Sequence, residues 1–218
     1  MKPIILINFK LYEEAYADKA LAVAKKMALV KDNKYELVVC PSLLTIKEVA
    51  QKVKINVFSQ HCDHIGLGAH TGKISAQELK AIGVKGTLLN HSERKVPFPY
   101  LKEIVQKCKE NKLRTVVCAS SISEIKKICQ LTPDYIAYEP KELIGGDVSV
   151  TKSKPDIVVK AVKVVEKLSP RTKLLCGAGI HSKEDLGQAL LLGTHGVLIG
   201  HAATQAKDPK KFLEEMML

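Results

Sequence analysis

Eight short apolar segments recur along the chain. They are rich in Val, Ile and Leu, and several are apolar at successive positions rather than at alternate ones, as in Ile4–Ile7 and Thr115–Cys118. Continuous apolarity is typical of strands covered on both faces, as in a parallel sheet. The predicted strands are Pro3–Asn8, Tyr35–Cys40, Ile55–Ser59, Gly86–Asn90, Arg114–Ala119, Tyr135–Glu139, Lys173–Gly177 and Gly196–Gly200.

Segments with helical periodicity lie between these strands. Two apolar faces follow the i, i+3, i+4 spacing of an amphipathic helix. The first face consists of Ala20, Val23, Ala24 and Met27. The second face, after Pro155, consists of Ile157, Ala161, Val164, Val165 and Leu168. The third connection is rich in loop residues, and we expect only a short helix there, at about Ser75–Ile82.

Helix start signals agree with this periodicity. Ser121 and Glu124 have the spacing of a capping box, in which the serine binds the third amide and the acid binds back to the serine amide. Ser182 and Asp185 repeat the pattern with a shorter acid. Asp208 precedes a proline, which predicts an N-cap followed by the first helical turn.

Eight strand-then-helix units predict an α/β protein with a closed (β/α)₈ barrel, because closure leaves no strand edge exposed. The 218 residues contain no low-complexity linker, so residues 1–218 are predicted to form a single domain. This length is near the lower end for such barrels. A doubly wound open sheet is the alternative, but no G-x-G-x-x-G motif follows the first strand.

The net charge of +11 favours anionic partners, such as nucleic acid, a membrane surface or a phosphorylated small molecule. The lysines occur as scattered pairs, as expected for solvated helix faces, and the chain has no Trp for stacking on bases. We therefore expect no nucleic-acid binding. The uncharged stretch between Asp185 and Lys207 is interrupted by four glycines, two histidines and two glutamines, so we expect no membrane span either. Six cysteines without disulfide-like spacing favour a reducing compartment, and we expect a cytoplasmic protein.

Polar residues and glycines follow most of the predicted strands. Because the active site of such a barrel lies at the carboxyl ends of the strands, these residues are predicted to share one site. They are Asn8, Lys10, Gln60, Asn90, His91, Glu139, Gly177, Ala178, Gly179, Gly200 and His201. Loops after the seventh and eighth strands commonly bind phosphate through backbone N–H groups. Gly177, Gly179 and Gly200 would let those groups approach closely, although simple tight turns are the alternative.

Together these segments resemble triosephosphate isomerase, most closely its compact archaeal form. The resemblance runs in order through the whole chain. It is carried by Asn8-Phe9-Lys10, Asn90-His91-Ser92-Glu93-Arg94, Ala137-Tyr138-Glu139-Pro140, Ile144-Gly145 and Cys176-Gly177-Ala178-Gly179. It implies a TIM barrel and interconversion of dihydroxyacetone phosphate and D-glyceraldehyde 3-phosphate through an enediolate, in glycolysis and gluconeogenesis, without a metal or organic cofactor.

The resemblance also implies residue roles. Glu139 would be the general base, and His91 would be a neutral imidazole that polarises the substrate oxygens. Lys10 would make the site positive. Asn8 would orient it, and Glu93 would support it without contacting the substrate itself. The remaining substrate-binding residues would be Phe9, Ile144, Gly145, Gly177, Gly179, Gly200 and His201. Ile144 and Gly145 belong to Pro140–Lys152, which resembles the mobile lid that closes over the substrate.

The loop Gln60–Gly72 contains His61, Cys62, Asp63, His64 and His70. This spacing matches no common zinc pattern, and the glycines would hold ligands poorly, so we expect no metal site. The resemblance instead implies that Thr71 and Gly72 reach the neighbouring subunit's site near Asn8 and Glu93. It predicts a homodimer, or a dimer of dimers as in archaeal relatives.

Three positions depart from the family pattern. The lid has Gly145-Gly146-Asp147 where the family has G-T-G, which introduces an acid. The eighth loop has Gly200-His201-Ala202 where archaeal relatives have A-S-G. Cys176 replaces a tyrosine of the longer enzymes, as it does in archaeal forms. These departures concern lid kinetics and substrate affinity.

Two other classes of function stay open at this stage. A different sugar-phosphate barrel enzyme would share the phosphate loops. However, a Schiff-base aldolase needs a lysine inside the barrel, which strands four to six lack, and a metal-dependent epimerase needs converging His and Asp ligands. A basic binding protein would use the +11 charge without chemistry and would show a steep salt dependence of nucleic-acid binding.

Overall fold

The strands form a closed parallel barrel. The computed structural model describes residues 2–32, 34–140 and 155–217. Each strand pairs with the next in parallel, and the eighth pairs with the first, which confirms the predicted barrel and excludes the open sheet. The strands are β1 Ile4–Asn8, β2 Glu36–Cys40, β3 Asn56–Ser59, β4 Gly86–Leu89, β5 Arg114–Ala119, β6 Tyr135–Tyr138, β7 Lys173–Cys176 and β8 Gly196–Ile199.

Helices follow the strands in the order that the sequence predicts. Within the described residues there are nine α-helices and one 3₁₀ turn, Glu13–Ala15. The short third helix agrees with the prediction to within a residue at each end. The helices are α1 Ala17–Met27, α2 Ile46–Lys52, α3 Ala76–Ala81, α4 Phe98–Glu110, α5 Ile122–Cys129, α6 Pro155–Leu168, α7 Lys183–Leu191, α8 His201–Thr204 and α9 Pro209–Met217. None of these helices is both long and apolar enough to cross a membrane.

One of the two hydrogen bonds expected in each predicted capping box is confirmed, and the other is made to a different residue. In α5 the Ser121 side chain accepts from the amide of Glu124 at 3.1 Å, as predicted. The Glu124 carboxylate, however, accepts from the amide of Ser120 at 2.7 Å, one residue before the cap. In α7, Ser182 and Asp185 show the same shift. The acid side chain therefore accepts a hydrogen bond from the residue before the N-cap rather than from the N-cap residue itself.

The apolar face of α6 differs from the prediction, whereas that of α1 is confirmed. The predicted outer position Leu168 is 48% exposed. Because adjacent positions in this helix are apolar, the sequence pattern specifies a helix but not its rotation. The buried face consists of Val158, Ala161, Val162 and Val165.

Two apolar layers fill the molecule. One lies between the barrel and the helices, and the other fills the barrel interior. Since side chains alternate along a strand, Ile4 and Leu6 of β1 face inward, as do Tyr135 and Ala137 of β6. The next positions in these inward rows are polar, and they lie at the carboxyl ends of the strands.

The amino end of the barrel is closed by an ion pair. Arg114 of β5 makes a bidentate pair with Glu36 of β2, and Asn56 of β3 donates to the same carboxylate at 2.6 Å. The guanidinium also lies 5.0 Å from the centre of the Phe58 ring. The polar groups at this end of the barrel therefore bind one another.

Candidate active site

The carboxyl ends of the strands surround a cavity that is partly open to solvent. Nine of the predicted site residues line it, and they come from five different strand ends. They are Asn8, Lys10, His91, Glu139, Gly177, Ala178, Gly179, Gly200 and His201.

Glu139 and His91 face each other inside this cavity. The Oε1 atom of Glu139 lies 3.7 Å from Nε2 of His91, and the two residues are 5% and 8% exposed. Glu139 continues the inward row of β6, and its amide donates to the carbonyl of Ala119 at 2.8 Å, so its backbone still belongs to the sheet. The ends of two barrel strands thus hold a carboxylate and an imidazole next to the same cavity.

The surroundings of Glu139 raise its pKa to about 7. Burial is the main cause, since it disfavours the charged carboxylate. A hydrogen bond from the Cys118 thiol and the positive charges of Lys10 and Lys95 act in the opposite direction. The carboxyl group can therefore both accept and release a proton near neutral pH, as a general acid–base requires.

His91 is held as a neutral imidazole. Burial lowers its pKa, and the charges of Lys10 and Lys95 lower it further, against the raising effect of the Glu93 carboxylate. The amide of Glu93 donates to Nδ1 at 3.2 Å. Because Nδ1 accepts this bond, Nε2 carries the proton and can donate it into the cavity.

Lys10 lies beside these two residues in an uncommon backbone conformation, with φ at 46°. Its amide donates to Oδ1 of Asn8 at 3.0 Å, and its ammonium donates to Oε1 of Glu93 at 2.6 Å. Burial lowers the pKa of Lys10, but the hydrogen bond and charge of Glu93 outweigh this, so the pKa is raised overall. The cavity therefore contains a permanent positive charge.

Gln60, which directly follows β3, holds the backbone of this lysine in place. Its Nε2 donates to the carbonyls of Lys10 and Cys40, both at 3.0 Å. These bonds connect the ends of the first three strands. The sequence marks Gln60 as a residue at the carboxyl edge, and the structure shows that it supports the backbone of Lys10.

Gly177 provides space for Glu139. A Cβ atom added at Gly177 would lie 2.5 Å from Cγ of Glu139. Its own amide donates to the carbonyl of Tyr138 at 3.0 Å, so this N–H belongs to the sheet rather than to a phosphate cradle. Gly179, with φ at 65°, and Gly200, which begins α8, line the cavity at the position where such a cradle is expected.

The sequence profile of the triosephosphate isomerase family matches residues 3–216. The chain belongs to the triosephosphate isomerase family. Three curated proteins named triosephosphate isomerase align along almost their whole length. The one from Methanothermus fervidus is 39% identical over 99% of this chain and 98% of its own. The one from Methanosarcina mazei is 40% identical over 99% and 97%. The one from Methanocaldococcus jannaschii is 38% identical over 98% of both chains.

Among the described residues that were expected to bind substrate in this chain's own site, Phe9 does not line the cavity. Phe9 is fully buried in the layer between barrel and helices, because it follows Asn8 and points to the opposite side of the strand. Thr71 is exposed on the surface of its own chain. Ile144 and Gly145, with the rest of the predicted lid after Pro140, lie outside the described residues.

Sequence reasoning missed two polar residues of the cavity, Tyr12 and His181. The ammonium of Lys10 lies 5.8 Å from the centre of the Tyr12 ring. The ring of His181 lies 5.4 Å from that of His201. Each of these residues lies two positions beyond a predicted one, so the sequence signal for both is a polar residue within one turn of a strand end.

The histidine-rich loop after β3 is tethered by hydrogen bonds. Asp63 accepts from the amide of Ile74 at 2.8 Å, and Nε2 of His61 lies 3.4 Å from Oδ1 of Asp63. No group of three or more His, Cys, Asp or Glu side chains within residues 2–32, 34–140 and 155–217 is arranged to hold a metal ion.

A second cavity adjoins the site. Asn8, Lys10 and Glu93 line it together with His61. The Nδ1 atom of His61 is buried and has no hydrogen-bond partner among the described residues.

Proposed function

We propose that this protein interconverts dihydroxyacetone phosphate and D-glyceraldehyde 3-phosphate, a step shared by glycolysis and gluconeogenesis. The observation that carries the proposal is the pairing of Glu139 with a neutral His91 across 3.7 Å in one cavity of a triosephosphate isomerase family member. All 218 residues would serve this activity as one domain.

Glu139 would act as the base. Its carboxylate would take a proton from the carbon next to the substrate carbonyl and return it to the neighbouring carbon. Its pKa of about 7 supports this role, because proton transfer is most efficient when the pKa of the base is near the working pH. The space left by Gly177 lets the side chain lie over the reacting carbons.

His91 and Lys10 would stabilise the oxygens of the enediolate. The Nε2–H of the neutral His91 ring can donate to the oxygen on either reacting carbon, since the ring faces the same cavity as the base. The charge of Lys10, held by Asn8 and Glu93, would stabilise the negative charge that develops there. No group other than these side chains is needed to move the proton.

The phosphate of the substrate would lie near the carboxyl ends of β7 and β8. Gly179, Gly200 and His201 line this part of the cavity. Backbone N–H groups at the start of a short helix and beside glycine suit an anion. Ile144 and Gly145 remain sequence predictions for the lid, which would close over the bound phosphate.

We also infer a homodimer in the cytoplasm. The exposed loop supports the dimer, because Leu67 is 74% exposed and the second cavity, beside Asn8 and Glu93, lies where the family resemblance expects Thr71 of a partner. Six buried, unpaired thiols support a reducing location. A dimer of dimers would use neighbouring surfaces.

A coupled assay with purified protein and each triose phosphate tests the function. We expect isomerisation in both directions, and about 10²-fold lower kcat for Glu139→Asp, which retracts the carboxylate by about 1 Å. Glu110→Asp, on the exposed end of α4, is the matched control and should retain full activity. Full activity of the Glu139 variant would reject this residue as the base, and no activity in the wild-type protein would reject the proposed function.

A further inference from the structure

A hydrogen-bonded cluster lies behind the catalytic cavity, around the carboxylate of Glu124 in the first turn of α5. One oxygen, Oε1, accepts from Nδ2 of Asn90 at 2.8 Å and from Nζ of Lys95 at 2.9 Å. The other oxygen, Oε2, accepts from the amide and the hydroxyl of Ser120 at 2.7 and 3.0 Å. Four donors converge on this one side chain, which does not itself line the cavity that holds Glu139.

Asn90 is fully used by this cluster. Besides Glu124, its Nδ2 donates to the carbonyl of Cys118 at 2.9 Å, and its Oδ1 accepts from the amide of Val96 at 3.0 Å. Its φ of 58° lies in the left-handed region, which asparagine tolerates better than most residues. The side chain therefore joins the two ends of the turn 91–95 and attaches them to β5.

This turn orients the imidazole of His91. Its backbone supplies the amide of Glu93 that binds Nδ1, and the amide of Arg94 donates to the carbonyl of His91 at 2.9 Å. Asn90 anchors the turn at its start and Lys95 at its end, and both side chains bind Oε1 of Glu124. One carboxylate thus holds the two ends of the segment that aims the imidazole.

We propose that Glu124 is a positioning residue for His91, which fixes the turn 91–95 through Asn90 and Lys95 so that Nε2 points at the substrate oxygens. The inference rests on the proposed function, because it assigns Glu124 a part in the same reaction. Glu124 touches neither substrate nor reacting atoms. Its effect is on the direction of the hydrogen bond that His91 donates, and a small misalignment of such a donor lowers the rate strongly.

Glu124→Gln tests this inference. A glutamine has one acceptor oxygen and one NH₂ group, so two of the four donors lose their acceptor while the size of the side chain is kept. We expect kcat to fall about 10-fold, in the range for a weakened oxyanion contact, with KM within about twofold of wild type. Glu78→Gln is the matched control, because Glu78 also stands three residues after a serine cap, in α3, and should retain wild-type kcat.

A second variant tests the route through Asn90. Glycine accepts the left-handed backbone but lacks the side chain, so Asn90→Gly keeps the turn geometry available and removes its anchor. We expect Asn90→Gly to lower kcat by a similar factor, and the double variant with Glu124→Gln to be no slower than Asn90→Gly alone, because the two residues act as one unit. If Glu124→Gln does not fold, wild-type kcat in Asn90→Gly overturns the inference.

Nitrogen-15 NMR of the His91 ring separates this inference from the proposed function. In the wild type we expect one sharp set of signals with Nε2 protonated, and in Glu124→Gln we expect broadened signals from a ring with several orientations. An unchanged His91 spectrum together with unchanged kcat, even with a lower Tm, would overturn the inference and leave Glu124 a structural residue. Broadened signals in a protein without isomerase activity would reject the proposed function but support ring fixation.

Discussion

At the scale of single residues, the site depends on burial, which raises the pKa of Glu139 and lowers that of His91. Burial removes water from the Glu139 carboxylate and raises its pKa. The hydrogen bond from the Cys118 thiol and the charges of the lysines offset only part of this rise. His91 is kept neutral by burial and by an amide that occupies Nδ1. The base and the donor are therefore prepared before any substrate binds.

The raised pKa of Glu139 predicts the pH dependence of the reaction. Below about pH 7 the carboxyl group is protonated and cannot accept a proton, so kcat/KM should fall about tenfold for each pH unit. Cys118→Ala removes a hydrogen bond that lowers this pKa, so the acidic limb should move to higher pH. A limb that stays in place in this variant would assign the titration to the substrate phosphate instead.

The contact between Gly177 and Glu139 predicts a second residue effect. In Gly177→Ala the new Cβ would lie 2.5 Å from Cγ of Glu139, so the carboxylate must move and kcat should fall by about 10²-fold. Gly187→Ala, in α7, is the control, because a Cβ there meets no atom within 4 Å. The control should keep its activity and gain about 0.5–1 kcal/mol in the free energy of unfolding. Equal activity of both variants would contradict the expected clash between the new Cβ atom and the side chain of Glu139.

At the scale of elements, sequence signals locate the helices and strands but not every contact at their ends. The strand ends agree with the predictions within about one residue, because apolar runs stop where polar residues begin. The capping acids of α5 and α7 bind one residue earlier than predicted, and the buried face of α6 is rotated. These details depend on the incoming loop and on the neighbours of the helix, which the local pattern does not contain.

The cap of α9 permits a test at this scale. The Oδ1 atom of Asp208 accepts from the amides of Lys210 and Lys211 at 3.0 and 3.3 Å. Asp208→Ala leaves both amides without this acceptor, so the free energy of unfolding should fall by about 1 kcal/mol, with kcat unchanged. Glu215→Ala, at an exposed ion pair of the same helix, should cost less than about 0.5 kcal/mol. Urea unfolding of both variants measures the difference, and equal midpoints would rule out the cap.

At the scale of the whole molecule, barrel closure brings five strand ends around one cavity. Asn8 and Gly200 are nearly two hundred residues apart in sequence, yet both line it. A second cavity, lined in part by Asn8, Lys10, Glu93 and His61, adjoins the first at the same end of the barrel. That cavity and the exposed loop with Thr71 are the basis for the proposed dimer.

Thr71→Arg tests the assembly. Light scattering of the wild-type protein should give twice the chain mass of 24.0 kDa, or a further multiple of two. The bulky charged side chain should weaken association and lower kcat together, because the second cavity, beside Asn8 and Glu93, would no longer be filled by Thr71 of the partner subunit. Leu191→Arg, which changes an exposed residue of α7, should leave mass and activity unchanged. A wild-type mass of one chain with full activity would disprove the dimer.

The sequence by itself determined the number and order of the strands, the helices between them, and the residues that meet at the carboxyl edge. This is possible because continuous apolar runs, helical spacing and strand-end polar residues are local signals, and a parallel barrel maps chain order directly onto position. The match of these segments to one family also needed only sequence.

Only the tertiary structure decided how these residues act on one another. The raised pKa of Glu139, the tautomer of His91, the space given by Gly177 and the support of His91 by Glu124 all depend on burial and on partners distant in sequence. Phe9, next to Asn8 in the same motif, points away from the cavity, because neighbouring side chains of a strand face opposite sides. Such relations arise from the closed barrel, where distances in space no longer follow distances along the chain.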